Sequence, residues 1–365
     1  ARRDARRDTF RRALLMSDAR AEARICALDA TQLLAAMRAK QYTCVEVVTA
    51  FCSRALRTTE VTNNVTVEAY DEAIAQAKRV DALRARPEHD VTKEPFLLGL
   101  PFSIKDHMDL KGFDSTAGAA VKTFSPAAKD SALVTLLKRA GAIPFVKTNI
   151  PQSLMINESV NNVYGRALNP WNLARTVGGS SGGEGGLIGA DASPCGIGSD
   201  IGGSIRGPAI YCGICGLKPS PGRLTKVGCS GARWQGRDGQ EAIKSVVGPM
   251  GRTVEDLALL MRAWLVQAQR DEFDFDVETH PKFDELEYAS TRKLRIGFVD
   301  HDEFFPACAS SRRAVREAIE VLRARGHEIV PLHTANSAGA DEPYGTSLSP
   351  ETDPALHPEN PALPG

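Results

Sequence analysis

The stretch of sequence that decides the fold spans residues 178–222 and reads GGSSGGEGGLIGADASPCGIGSDIGGSIRGPAIYCGICGLKPSPG. Glycine dominates it, but apolar residues are interleaved with the glycines. This pattern is not that of a flexible glycine–serine linker. Glycine at such density among apolar residues predicts tight turns and backbone segments that approach one another closely.

The sequence on either side of this stretch alternates between helix and strand patterns. Amphipathic spacing predicts two helices within 30–56, the second beginning after Thr43, and further helices over 67–84, 130–140 and 253–265. Short apolar runs predict strands at 96–104 and 142–146. Near the end, the pattern predicts a strand–helix–strand crossover, formed by residues 294–299, a helix capped by Ser310 and residues 328–332. The alternation predicts an α/β fold, with the last strand in the central sheet.

Composition excludes several classes of protein. The 365 residues contain 45 Lys plus Arg and 45 Asp plus Glu, so the chain is not a broadly cationic nucleic-acid binder. The sequence contains no run of 18 apolar residues, so it predicts no membrane-spanning helix. Eight scattered cysteines are typical of reduced thiols rather than a disulfide scaffold, which favours an intracellular location, in the cytoplasm or on an internal membrane. The cysteine pair at 212 and 215 lacks a second ligand pair for structural zinc, so we predict no metal and no cofactor.

Three common motifs fit the glycine-rich segment poorly. A P-loop would need a lysine after the glycines, and none follows. The GIG at 196–198 lacks the third glycine of a dinucleotide-binding GxGxxG. Residues 178–182 match the GxSxG elbow of α/β-hydrolases, but residues 172–177 make a poor preceding strand, and the downstream histidines lie in polar or terminal segments.

Four motifs taken together carry a more specific signal. They are GLPFSIKD at 99–106, GGSSGG at 178–183, GSDIGGSIR at 198–206 and GICGLKP at 213–219. Their residues and spacing resemble the amidase signature family over about residues 27–333. Within that family, Glu184 directly after GGSSGG and VVGPM at 246–250 are most similar to the fatty acid amide hydrolases.

The resemblance implies a catalytic triad. Ser204 would be the nucleophile, Ser180 the bridging serine and Lys105 the general base. A serine hydroxyl is a poor nucleophile at neutral pH and needs a base. A lysine can serve only when it is neutral, and Lys105 ends an apolar run that is compatible with burial.

The resemblance also implies the residues around the triad. Backbone N–H groups of Ile201, Gly202, Gly203 and Ser204 would hold the oxyanion, since consecutive glycines let the backbone approach the carbonyl oxygen. Ser180 and Leu154 would belong to the same oxyanion and substrate-binding set. In supporting roles, Ser181 would hydrogen-bond within the site, and Asp200 would pair with Arg206 to fix the loop.

For the whole chain, the resemblance implies an amidase signature fold, a mixed and mostly parallel central sheet flanked by helices. The expected organisation is a basic segment at 1–26, an amidase signature domain at 27–333 and a disordered Pro/Gly-rich tail at 334–365. Because the family normally continues well beyond residue 333, we expect the domain to be incomplete at its C-terminus.

The expected activity is hydrolysis of carboxamides through an acyl-enzyme, with fatty acid amides such as N-acylethanolamines and primary fatty amides as substrates. Small or aminoacyl amides, including those of a glutamine-dependent amidotransferase subunit, are the alternative substrates, and a catalytically inactive fragment is the alternative to an enzyme. The expected partners are a small amide, a membrane surface met peripherally by the arginine-rich start, a second copy of the chain, and no nucleic acid.

Overall fold

The computed structural model describes residues 18–230, 243–265, 283–300 and 307–332. Its elements fall into two compact units, with the boundary between Phe283 and Asp284. That boundary lies inside the single domain predicted for 27–333. Residues 1–17 of the predicted basic segment and the whole predicted tail lie outside the described residues.

The described residues of the first unit form the strands β1 Val65–Glu68, β2 Pro101–Lys105, β3 Ile143–Thr148, β4 Val160–Asn161, β5 Gly165–Arg166, β6 Cys195–Asp200, β7 Cys215–Gly216 and β8 Val246–Gly251. Six of them form a sheet of order β1-β3-β2-β6-β8-β7, and β4 and β5 form a separate ribbon. The central strands β3, β2 and β6 run parallel to one another, whereas β1, β8 and β7 pair antiparallel with their neighbours. The predicted mixed sheet is therefore confirmed, with its parallel part at the centre.

Helices surround this sheet, and several begin at the residues that the sequence indicates. Thr43 and Glu46 form a capping box at the start of α3, where the predicted helix begins. The predicted helix at 67–84 starts later, at Tyr70, because the β-branched residues before it form β1 and pair with β3. The helices are α1 Ala19–Cys26, α2 Ala30–Arg38, α3 Cys44–Thr62, α4 Tyr70–Arg84, α5 Ala132–Arg139, α6 Gly182–Gly189, α7 Arg206–Cys212 and α8 Val254–Trp264.

The end of the predicted basic segment is part of the folded unit. Helix α1 buries Ile25 and Cys26 in the hydrophobic core. Its Glu22 is also buried and forms an ion pair with Arg57 of α3. The apolar face of α1 packs into the core although the helix also carries charged residues, so the folded unit begins before residue 27.

The carboxyl ends of the three parallel strands gather polar side chains at one edge of the sheet. Lys105 ends β2 and is the register partner of Thr148, which ends β3. Asp200 ends β6, the neighbour of β2 on its other side. Because all five residues of β2 are buried, Lys105 is held inside the protein. In open α/β sheets this edge is where ligands bind.

The second unit contains the predicted strand–helix–strand crossover and one short helix, α9 (Glu285–Tyr288). Strands β9 (Arg295–Phe298) and β10 (Glu328–Pro331) run parallel and are joined through α10 (Ala309–Ala324). They form a two-stranded sheet of their own, so the prediction that the last strand belongs to the central sheet was wrong. A strand pattern determines which faces are apolar, but it does not determine which sheet the strand joins.

Two smaller observations complete the fold. The residue preceding α10 is Cys308, so Ser310 lies inside the first turn and is not the predicted cap. Within the described ranges, no helix has both the length and the apolar composition needed to cross a bilayer.

Candidate active site

Ser180 lies in a tight loop between Val177 and the start of α6. The peptide bond between Gly179 and Ser180 is cis. A Cβ at Gly179 would overlap the backbone of Ile156 and Glu158, so only glycine allows this segment to lie so close to the loop. Ser180 is nearly completely buried. Gly179 therefore allows the loop that carries Ser180 to lie directly against residues 156–158.

Lys105 reaches Ser180 from the end of β2. Its Nζ lies 2.7 Å from Ser180 Oγ and 2.9 Å from Ser199 Oγ, and it donates to the Ser199 carbonyl over 3.3 Å. Lys105 is completely buried. Burial lowers the pKa of Lys105 from 10.5 to about 7, although the charge of Asp200 partly opposes this shift. A substantial fraction of this amine is therefore neutral at neutral pH.

The three oxygens around Lys105 can accept from an ammonium, and they can also serve a neutral amine. A neutral amine has two N–H donors and one lone pair, whereas an ammonium has three donors and no acceptor. The Ser199 carbonyl can only accept, and the Ser199 hydroxyl can accept the second N–H. The lone pair is then available for the proton of Ser180 Oγ, 2.7 Å away. The geometry can therefore transfer a proton from Ser180 to Lys105.

Ser204 lies in the turn that follows β6, and Asp200 organises this turn. The Asp200 carboxylate accepts from the backbone N–H groups of Gly203 and Ile205, each at 2.9 Å. The predicted ion pair with Arg206 is present, with Arg206 Nη2 2.9 Å from Asp200 Oδ1. Although burial opposes ionisation, these hydrogen bonds lower the pKa of Asp200, so it remains a carboxylate that fixes the loop.

Ser181 joins the two serine-bearing loops. Its backbone N–H donates to the carbonyl of Ser204 at 3.0 Å. Its hydroxyl donates to the Ser199 carbonyl at 3.2 Å, the carbonyl that also accepts from Lys105. Ser204 is buried, with 7% of its surface exposed. Among the described residues, no hydrogen bond joins the hydroxyls of Ser204 and Ser180, so the structure shows only the Ser180–Lys105 contact of the predicted triad.

The predicted oxyanion donors lie in the same turn, but they are not equivalent. The amide of Gly203 is already engaged by Asp200, so an oxyanion would have to share it. Gly203 has a φ of 110°, a conformation that favours glycine. A Cβ on Gly202 or Gly203 would meet nothing within 4 Å, so this turn faces open space. Ile201, Gly202 and Ser204 are the better candidates.

Leu154 lies in a different segment, at the end of the short 3-10 turn Gln152–Leu154. Its backbone is left-handed, with a φ of 66°, and its amide donates to the carbonyl of Pro151. The same segment continues to Ile156, whose carbonyl faces Gly179. Leu154 thus lies two residues before a residue that contacts the Ser180 loop, and its role in substrate binding stays a prediction.

Sequence reasoning missed two residues that contact the candidate machinery. Ser199 accepts from Lys105 through its hydroxyl and its carbonyl, and its place within the GSDIGGSIR motif was the available signal. Glu184, used only as a marker of resemblance, is completely buried beneath the site. His107 is buried too, and burial lowers its pKa well below the usual value. A nucleophile elbow at Ser180 is not supported, since its partner is a lysine and residues 172–177 form no strand.

Comparison with known proteins identifies the family of the chain. The amidase family model matches residues 46–352, a range that starts and ends later than the predicted 27–333. The chain is 44% identical to fatty-acid amide hydrolase 1 of Sus scrofa over 251 residues, which cover 68% of this chain and 42% of that protein. It is 36% identical to fatty acid amide hydrolase 1 of Caenorhabditis elegans over 315 residues, covering 85% and 53%.

Solved structures give the same result. A fatty acid amide hydrolase superposes with a TM-score of 0.78 at 34% identity, covering 86% of this chain and 54% of that one. A bacterial aryl acylamidase superposes with a TM-score of 0.72 at 25% identity, covering 86% and 62%. The chain spans about half the length of the curated relatives it matches. The chain belongs to the amidase family.

Proposed function

We propose that this chain carries the catalytic centre of a carboxamide hydrolase, with Ser204 as nucleophile, Ser180 as proton relay and Lys105 as base. The observation that carries the proposal is the 2.7 Å contact between Lys105 Nζ and Ser180 Oγ in a buried site. A buried lysine with its pKa lowered to about 7 and a serine hydroxyl within reach is unusual outside proton-transfer sites.

The proposed reaction has two halves. Ser204 Oγ attacks the amide carbonyl carbon while its proton passes to Ser180, and the Ser180 proton passes to Lys105. The Lys105 proton then returns through Ser180 to the leaving nitrogen, which departs as an amine and leaves an acyl ester on Ser204. Water attacks this ester by the same route and releases the carboxylic acid. The amides of Ile201 and Gly202 would stabilise the oxyanion in both halves.

Fatty acid amides are the proposed substrates. The names of the relatives in pig and nematode support this class. Apolar side chains beside the loop also support it. Ile156, Ile210 and Tyr211 are each more than half exposed, and the Tyr211 ring lies against Gly178. Small amides are the second candidate class, because an acetamidase of Emericella nidulans is 36% identical over 85% of this chain.

Labelling with a fluorophosphonate probe tests the nucleophile in the 365-residue chain. The probe should modify Ser204, and Ser204→Ala should abolish labelling. Ser220→Ala, which removes an exposed serine of the same unit, is the matched control and should label normally. Labelling of Ser180 in the Ser204→Ala variant would contradict the assignment. Hydrolysis of a primary fatty amide against acetamide then separates the two substrate classes.

The location and the remaining partners are further proposals. An intracellular location is proposed because all eight cysteines are free thiols, most of them buried. Peripheral membrane contact and a homodimer stay predictions from the sequence.

A further inference from the structure

Glu184 is a completely buried carboxyl group that the proposed reaction does not use. It is the third residue of α6, the helix that begins two residues after Ser180. A buried carboxylate in a helix of glycine and apolar residues is costly unless its oxygens are hydrogen-bonded. The surroundings of Glu184 therefore indicate why it is tolerated.

Both carboxylate oxygens of Glu184 reach the strands that hold Lys105. Oε2 lies 2.6 Å from the hydroxyl of Ser103 in β2, and Oε1 lies 2.7 Å from the hydroxyl of Thr148 in β3. Ser103 is two residues before Lys105, so alternation along the strand puts both on one face. Thr148 is the register partner of Lys105. The carboxyl group therefore lies on the Lys105 face of the sheet.

The protein provides space for this carboxyl group. A Cβ on Gly196 of β6 would overlap both the Glu184 carboxylate and the Ser103 hydroxyl. Glycine at position 196 is thus required by the close approach of Glu184 to the sheet. The site is built from three strands and one helix.

The two hydroxyls can satisfy either protonation state of Glu184. Ser103 Oγ has a second acceptor in the carbonyl of Cys195 at 3.3 Å, and Thr148 Oγ1 has one in the carbonyl of Ile104 at 3.4 Å. An ionised carboxylate accepts from both hydroxyls. A protonated carboxyl donates to one hydroxyl, which then donates to its carbonyl. The network therefore permits Glu184 to gain or lose a proton without an unpaired group.

We propose that Glu184 is a positioning residue for Lys105. The hydrogen bonds of Glu184 dock α6 on the sheet, and its charge governs the pH at which Lys105 becomes neutral. The inference rests on the proposed function of Lys105 as base. A negative charge on this face favours the ammonium form of Lys105, and a protonated Glu184 releases the neutral amine.

The two groups titrate in the same range. Burial raises the pKa of Glu184 to about 7, and burial lowers that of Lys105 to about 7. Each charge acts on the other group, so protonation of Glu184 affects the titration of Lys105. Asp200 and Cys229 also act on the charge of Lys105, and His107 lies within range of it. Cys195 of β6 lies within electrostatic range of Glu184, and burial raises its pKa, so it stays a neutral thiol.

The experiment is the pH dependence of fluorophosphonate labelling at Ser204 and of kcat/KM for a primary fatty amide. Glu184→Gln keeps the shape and both hydrogen bonds but removes the charge. Its acid limb should move to lower pH by roughly one unit. Glu46→Gln is the matched control, because either Glu or Gln completes the capping box with Thr43, and its limb should stay in place.

A second variant keeps the test decisive if Glu184→Gln does not fold. Thr148→Val removes one hydrogen bond to the ionised carboxylate, so Glu184 protonates more readily and the limb should again move to lower pH, by less. An unchanged limb in a folded variant overturns the inference. If the wild-type chain is not labelled at Ser204, the proposed function fails instead, so the two failures are distinguishable.

Discussion

Lys105→Met should make the protein inactive and more stable. The amine of Lys105 is completely buried, and its pKa falls from 10.5 to about 7 on folding. At pH 7 the unfolded chain therefore binds more protons at this amine than the folded chain does. At about 1.36 kcal/mol for each pKa unit, the lowered pKa costs folding about 4 kcal/mol at pH 7, where about half of this amine is neutral.

The sign of the pH dependence follows from this shift. Because the folded pKa lies below the unfolded value, the penalty is largest below pH 7 and disappears as the pH rises through 10.5. At pH 9 about 2 kcal/mol of it remains. Methionine has a similar length and no charge, so it removes the penalty at every pH. The hydrogen bonds lost at Ser180 and Ser199 cost about 1–3 kcal/mol at every pH.

Denaturant unfolding at pH 7 and pH 9, followed by the fluorescence of the buried Trp264, measures the effect. The stability of Lys105→Met relative to wild type should be about 2 kcal/mol larger at pH 7 than at pH 9. Lys78→Met, at an exposed lysine, should change stability little at either pH. A difference between Lys105→Met and wild type that is the same at both pH values would refute the lowered pKa.

Two further predictions address catalysis. Lys105→Ala should reduce amide hydrolysis by about 10²- to 10⁴-fold and ester hydrolysis by less, because an alkoxide leaving group needs less protonation than an amine. Parallel kcat/KM values for an amide and its matching ester test this prediction. Equal small losses on both substrates would argue against Lys105 as the proton carrier. Asp200→Asn should slow fluorophosphonate labelling of Ser204 by roughly tenfold or more while leaving the fold intact. The substitution removes the charge that holds the turn through the amides of Gly203 and Ile205 and the Arg206 side chain. Labelling at the wild-type rate would show that the turn is fixed by other contacts.

The parts of this site that the sequence could predict are those encoded by local pattern. Capping residues and apolar spacing placed the starts of α3 and α8, and the spacing from Asp200 to Arg206 correctly predicted their ion pair. The contacts of Glu184 were out of reach, because they join residues 81 and 36 positions apart through the register of two strands. The separate sheet of β9 and β10 was missed because an amphipathic pattern does not specify a strand's neighbour.

The close contact between Lys105 and Ser180 depends on how α6 docks against the sheet. Ser180 belongs to the loop that leads into α6, while Lys105 belongs to β2, so their 2.7 Å separation is set by two elements that are distant in sequence. Glu184 is the polar side chain of α6 that hydrogen-bonds to β2 and β3 directly. The same carboxyl group thus holds the helix at the distance that the proton relay requires and places a titratable charge on the face of the base. A change at Glu184 should therefore separate into a geometric effect, visible in the maximal rate, and an electrostatic effect, visible in the position of the acid limb.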